Sequence, residues 1–188
     1  MAEPQTKRWT VADLEALPYD EMNRYEIIDG ELFVSRQPRD EHQDISTEII
    51  IALGNWNHQT RLGFVLHTPG VIFSDNDAVA PDVVWLSRER RAAIEQDDGH
   101  LHGAPELMVE ILSPGAANER RDRERKLRQY SVYGVEEYWI VDPPAQAVAV
   151  YRRQDARLRL VATLQRDDTL TSPLLPGFSL AIARLFER

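Results

Sequence analysis

Apolar positions along this chain change period several times, and the changes mark its elements. Tyr25 to Val34 is a pair of short apolar-rich runs on either side of Asp29-Gly30, a dipeptide that tolerates positive φ, and predicts two short strands joined as a hairpin. From about Asp44 to Arg61 the period lengthens: Ile45, Ile49, Ala52, Leu53 and Trp56 recur at threes and fours, predicting an amphipathic helix that lies on a sheet. Phe64-Val65-Leu66 and Val71-Ile72-Phe73 flank Pro69-Gly70 and predict a hairpin or bulged strand pair, with 75–80 as a connecting loop. Val83 to Leu86 predicts a buried strand, Ser87 a cap, and Arg88 to Gln96 a charged helix. Leu107 to Leu112 is again strand-like, and Ser113-Pro114-Gly115 then breaks the chain. A highly charged helix is expected from about Asn118 to Tyr133, closed by Gly134, followed by a strand at Tyr138 to Val141. Ala147 to Tyr151 and Leu158 to Leu164 form a last strand pair turning near Asp155-Ala156, ahead of a closing segment around 174–186.

At the front, Thr10 caps a short helix with Leu14 and Leu17 on its apolar side, ended by Pro18, and residues 1–9 read as a loose leader. Strands clustered between two long helices predict an α/β (α+β) fold, a mixed central β-sheet flanked by helices with an N-terminal β-hairpin. A single domain over 1–188 is expected, because 188 residues with 43% hydrophobic content can bury one core and no linker divides them.

Composition narrows the chemistry. Zero cysteines exclude disulfides, thiolate metal sites and cysteine nucleophiles, so any metal must be held by oxygen or imidazole. No stretch approaches the roughly 20 apolar residues of a membrane span, which predicts a soluble, cytoplasmic protein. The net charge of −9 argues against broad nucleic-acid affinity without excluding a local basic groove. Phosphate-binding Gly-rich loops and Gly-x-Ser-x-Gly elbows are absent from the sequence.

Two carboxylates interrupt this apolar patterning. Asp82 follows Pro81 at the start of one strand, and Glu110 is the single acid within Leu107 to Leu112. Alternation sets Glu110 with Met108 and Leu112, and Asp82 with Val84 and Leu86. A buried carboxylate is costly unless something positive compensates it. If the strands pair, one Mg²⁺ or Mn²⁺, hard ions that prefer oxygen, could be shared by both. The plainer alternatives are a turn-fixing Asp82 and a Glu110 answered by an arginine.

The helix from Asn118 carries Arg120, Arg121, Arg123, Arg125, Lys126 and Arg128, most of them expected to face water in four-residue pairs: Glu119 with Arg123, Asp122 with Lys126, Glu124 with Arg128. Lys126 shares a stripe with Gln129, Tyr130 and Tyr133 where the buried face begins. There it either packs its stem and reaches water, or stabilises charge at a metal-bound water or a phosphate. His42, at a helix start, reads more simply as a residue bonding the backbone than as a general base. His58, His67, His100 and His102 show no metal-ligand spacing and read as surface or loop residues.

Pro81-Asp82, the strand Glu110 and a lysine together resemble the PD-(D/E)XK nuclease superfamily, and in particular the Uma2 (Uma-two) family of putative restriction endonucleases, widespread in bacteria. Arg24 to Glu31, Glu41-His42-Gln43, Val109 to Pro114 and Gly134 to Pro143 look like that family's signatures. The resemblance implies a restriction-endonuclease-like fold and a Mg²⁺- or Mn²⁺-dependent endonuclease acting on DNA. It makes Asp82 and Glu110 the metal ligands, with the Ile111 carbonyl. Leu112 stands where the motif expects its lysine, so Lys126 would supply the cation from the helix, with Arg125 and Arg128 as alternatives, and Glu26 would complete the acidic cluster. The other readings are a nuclease-like module that binds nucleic acid or protein without cutting, and a hydrolase of small phosphoesters. Cutting both strands of a duplex would suit a homodimer, with Tyr138-Trp139 or the C-terminal strands as pairing surfaces.

Overall fold

Hydrophobic alternation sorts the strands of this computed structural model into two main sheets; it describes residues 7–18, 20 and 22–187. The larger sheet has six strands in the order β10-β9-β8-β7-β6-β3, formed by β3 (Gly63–His67), β6 (Val83–Ser87), β7 (Leu107–Ile111), β8 (Glu137–Asp142), β9 (Ala147–Gln154) and β10 (Arg157–Leu164). Only β7 and β8 run parallel in it; the remaining pairs are antiparallel. Four further strands pair in the order β2-β1-β5-β4: β1 (Asn23–Ile28), β2 (Glu31–Arg36), β4 (Val71–Ser74) and β5 (Asp77–Val79). A small ladder joins β11 (Thr169–Leu170) to β12 (Leu180–Ala181).

Period-two alternation puts the core on both faces of the six-stranded sheet. Val83, Trp85, Leu107, Val109, Ile111, Trp139 and Val141 face α2 (Asp40–Thr60) and the C-terminal segment, packing on Ile45, Ile49, Leu53 and Trp56. Val84, Leu86, Met108, Leu112, Tyr138 and Ile140 face the other way, onto Tyr130, Ile28, Val71 and Val79. The four-stranded sheet and the charged helix therefore cover the face that also carries Glu110.

Several expected elements form as predicted. The hairpin β1–β2 turns at Asp29 and Gly30 with φ of 55° and 78°, and Thr10 caps α1 (Val11–Glu15) through a capping box with Asp13. Ser87 caps α3 (Arg88–Ile94) by accepting from the Arg90 N–H. The β9–β10 turn holds Asp155 and Ala156 at φ of 48° and 62°.

Two expectations fail, and for one reason. The runs at 64–66 and 71–73 are not a hairpin: β3 pairs with β6 in the large sheet, and β4 pairs with β5 in the other. The chain changes sheets at Thr68, whose φ is 49°, and Gly70, where a Cβ would strike the His100 ring at 2.2 Å. Residues 75–80 are accordingly not a plain loop, since Asp77–Val79 is the strand that joins β1 to β4. Tyr138 and Trp139, suggested as a subunit-pairing surface, are both fully buried and cannot serve as one. Residues 1–6 of the expected leader lie outside the described residues, while Trp9 donates its backbone N–H to Gly30 at 2.8 Å. Among the described residues no helix is long and apolar enough to cross a membrane.

Candidate active site

Antiparallel register brings the two strand acids together: Val83 faces Val109 and Val84 faces Met108, so the next step sets Asp82 opposite Glu110. Asp82 Oδ2 accepts the backbone N–H of Ile111 at 2.8 Å, which anchors one strand end to the next. Both acids are 2% exposed, so each needs compensation from protein.

Glu110 receives it from the charged helix. Lys126 Nζ lies 2.9 Å from Glu110 Oε1 and 2.8 Å from Glu26 Oε1, and Tyr130 donates its hydroxyl to Glu110 Oε1 at 2.7 Å. Glu26, from β1, also accepts the Ala80 N–H at 2.9 Å. Lys126, Glu26, Glu110 and Asp82 are thus brought into one buried centre by strands of both sheets and a helix. Asp82 is compensated separately, by Arg24 Nη1 on Oδ1 at 3.0 Å and His42 Nε2 near Oδ2 at 3.1 Å. His42 therefore faces the site, in place of the helix-start backbone bond that its position suggested.

The helix that delivers Lys126 is not uniform. Between α4 (Ala116–Arg120) and α5 (Leu127–Tyr133), residues Arg121–Lys126 form a π-helix. Its wider turn brings residues four and five apart onto one side, so Arg121, Asp122 and Lys126 are all buried. Arg121 was expected to face water; instead its Nε lies 2.9 Å from Asp122 Oδ1 and 3.9 Å from Glu26 Oε2. Asp122–Lys126, at 3.7 Å, is the one expected four-residue pair that forms. Arg123 reaches Asp142, Arg125 reaches Glu31 and Arg128 reaches Asp29, tying the helix to a strand end and to the hairpin.

Four buried carboxylates, Glu26, Asp82, Glu110 and Asp122, thereby face three permanent cations, Arg24, Arg121 and Lys126. The excess of acid falls on Glu110. Burial pushes its pKa up to about 8, and Asp82, Asp122 and Glu26 add to the rise against the pull of Lys126. Burial opposes ionisation of Asp82 too, but the His42 hydrogen bond and the His42 and Arg24 charges hold it well below the usual carboxylate range. Glu26 is likewise held down, Lys126 and Arg121 outweighing burial. Lys126 is raised above an ordinary lysine because Glu110, Glu26 and Asp122 outweigh its burial, so it stays charged.

Could these residues hold a divalent metal? Among the described residues no group of three or more side chains is arranged as a metal cage. The donor chemistry does suit Mg²⁺ or Mn²⁺, which use one or two carboxylates and keep several waters. Glu110 Oε2 carries no hydrogen bond among the described residues, and a carboxylate's roughly four lone pairs leave one open on Asp82 Oδ1.

A cleft of about 460 Å³ adjoins this centre through His42. Arg36, Arg39 and His42 line one wall, and Ser113, Asn118 and Pro143 the other, at the carboxyl ends of β7 and β8. Arg24 and Arg121 did not stand out in the sequence as site residues. Arg24 shares a strand face with Glu26 two positions on, a signal that could have found it; Arg121 is buried only because the helix widens, which no periodicity reveals.

Residues 11–183 match the family described as Uma2, putative restriction endonuclease. The chain belongs to the Uma2 family. This Uma2 protein is similar in structure to a putative nuclease belonging to DUF820 from Anabaena variabilis, with a TM-score of 0.74 and 21% identity over 94% of this chain and 97% of that one. It also matches the type IIG restriction endonuclease BpuSI at a TM-score of 0.42 and 14% identity, covering 80% of this chain and 16% of that one. No curated protein matches it. The expected restriction-endonuclease-like fold, a mixed sheet flanked by helices, is borne out, and the family places this Uma2 chain among nucleases.

Proposed function

We propose that this Uma2 protein is a metal-dependent endonuclease that hydrolyses DNA phosphodiester bonds at the buried acid centre. The observation that carries the reading is Lys126, fully buried and bonded to both Glu26 and Glu110 although it stands sixteen residues from the strand acid. A lysine in that place supplies from a helix the cation for which the strand has Leu112. Asp82 and Glu110, with the Ile111 carbonyl, would hold Mg²⁺ or Mn²⁺. When bound, the ion would polarise the scissile phosphate and make an attacking hydroxide available near neutral pH.

The chain's own residues do the rest. Glu26 and Glu110 fix the Lys126 ammonium, which offsets charge building on the phosphate as water attacks in line. Tyr130 and the Ala80 N–H hold those two acids in orientation, so the lysine needs little reorganisation during the reaction. Arg24 and His42 keep Asp82 ionised, the state a metal ligand requires.

A second reading is favoured by one observation: Asp82 already accepts from Arg24, His42 and Ile111, so the centre is largely neutralised without metal. On that reading the protein binds nucleic acid without cutting it. The test is titration of Mn²⁺ and Mg²⁺ into wild-type and Asp82→Ala protein by calorimetry, beside cleavage of plasmid, single-stranded DNA, RNA and small phosphoesters. Binding and DNA cleavage that both vanish in Asp82→Ala support the enzyme. Absence of metal binding by the wild type sinks it.

A further inference from the structure

We propose that the cleft beside the acid centre is a backbone-binding subsite, in which Arg36 and Arg39 grip the phosphodiester of one nucleic-acid strand next to the bond being cut. The inference rests on the nuclease reading and adds to it a binding site with named residues.

Three independent observations lead there. First, the cleft lies beyond the carboxyl ends of the parallel pair β7 and β8, the place where open sheets leave room for ligands. His42 belongs both to its wall and to the Asp82 contact, so one side chain separates the cleft from the acid centre. Second, Arg36 and Arg39 are exposed on that wall and neither is ion-paired among the described residues. The facing helix, by contrast, ties Arg123, Arg125 and Arg128 each to an acid. Guanidinium is the side chain best matched to phosphate oxygens, and two left unpaired in one cleft are free to meet them. Third, His42 Nδ1 is buried without a hydrogen-bond partner while Nε2 holds Asp82. A buried ring nitrogen without a partner in the wall of a polar cleft is accounted for by a ligand or an ordered water.

The dimensions decide what fits. A volume of about 460 Å³ suits a nucleotide or two of a single backbone. Glu41 is the one acid among the lining residues. Pro38, Pro114, Pro143 and Pro144 fix the rim, so little conformational freedom is lost on binding.

The test is binding of labelled 12-mers of single-stranded DNA, duplex DNA and RNA to the full chain in EDTA, where metal-dependent cutting is blocked, across a series of salt concentrations. Two double variants are compared with wild type. Arg36→Gln/Arg39→Gln removes the cleft charges; Arg157→Gln/Arg159→Gln removes the same charge from exposed positions of the edge strand β10. The cleft pair is expected to weaken binding about tenfold or more at low salt. It should also flatten the slope of log K against log salt by about 1.4 to 1.8, two contacts at 0.7 to 0.9 each, with the β10 pair unchanged. Similar losses for DNA and RNA would identify the shared backbone as the ligand; a loss confined to one would assign the subsite to that nucleic acid. Equal effects of the two pairs, or none from the cleft pair, overturn the subsite, as does a wild type that binds no strand. Mn²⁺-dependent cleavage by wild type but not Asp82→Ala shows separately that the nuclease reading stands when the subsite fails.

Discussion

Lys126 is 1% exposed and its ammonium has carboxylates on three sides, so its removal affects folding as well as chemistry. Lys126→Met leaves Glu26 and Glu110 facing one another in the core. Breaking a buried ion pair by deleting one partner costs about 3 to 5 kcal/mol, and that loss is expected in urea denaturation. Glu110 can take up a proton, but Glu26 is held ionised by its neighbours. The double variant Lys126→Met/Glu26→Gln should therefore recover more than half of the lost stability while remaining inactive. A double variant no more stable than the single one would mean that the lysine stem, and not its charge, holds the site together. Glu110 carries its own signature. Its folded pKa of about 8 lies above the ordinary value of 4.5, so its contribution to stability is full below pH 4.5 and is lost as pH rises through 8. In EDTA, the difference in unfolding free energy between wild type and Glu110→Gln should fall between those limits by up to about 1.4 kcal/mol per pH unit and level off above them. A difference that does not vary with pH would show that Glu110 is ionised throughout.

At the scale of elements, two glycines separate conformational cost from packing cost. Gly134 ends α5 at φ 92°, and Gly54 lies inside α2; a Cβ at either would meet nothing within 4 Å. Gly134→Ala should destabilise by about 1 kcal/mol because alanine resists the left-handed region, whereas Gly54→Ala should stabilise by about 0.5 to 1 kcal/mol through helix propensity. Thermal melts of the two variants should move in opposite directions. The closing Gly134 was legible in the sequence for the same reason that makes it costly to replace, and so were the Asp29-Gly30 turn and the alternation that buries Glu110. What was not legible depends on long-range partners. β5 is three residues long and begins with Asp77, whose carboxylate is satisfied by the Asp29 N–H, Gln129 and Tyr133 from distant elements. The π-helical turn has no hydrophobic signature, because what it buries is the charged trio Arg121, Asp122 and Lys126. In the candidate site, Asp82, Glu110 and Lys126 stood out by strand alternation and a buried stripe. Arg24 and Arg121 did not, since a cation is recognised as a site residue only once the acid it answers is known to be beside it.

In the whole molecule the acid centre is also the joint between the two main sheets. Glu26 comes from the four-stranded sheet, Glu110 from the six-stranded one, and Lys126 from the helix between them, with Arg24 of β1 closing on Asp82. The outer straps Arg125–Glu31 and Arg128–Asp29 join the same helix to the hairpin, but they are exposed and exposed pairs contribute little. Glu26 is thus the buried charge by which β1 meets the helix, alongside Arg24 on Asp82 and the backbone pairing of β1 with β5. Glu26→Ala should loosen the hairpin selectively: amide exchange in 23–36 should speed up by about tenfold or more, while β7 and β8, buried on both faces, keep their protection. Arg125→Gln/Arg128→Gln should change exchange in the hairpin far less. Acceleration spread evenly over both sheets would mean that the protein opens as one unit, and that the buried charges serve the chemistry without also fastening the sheets.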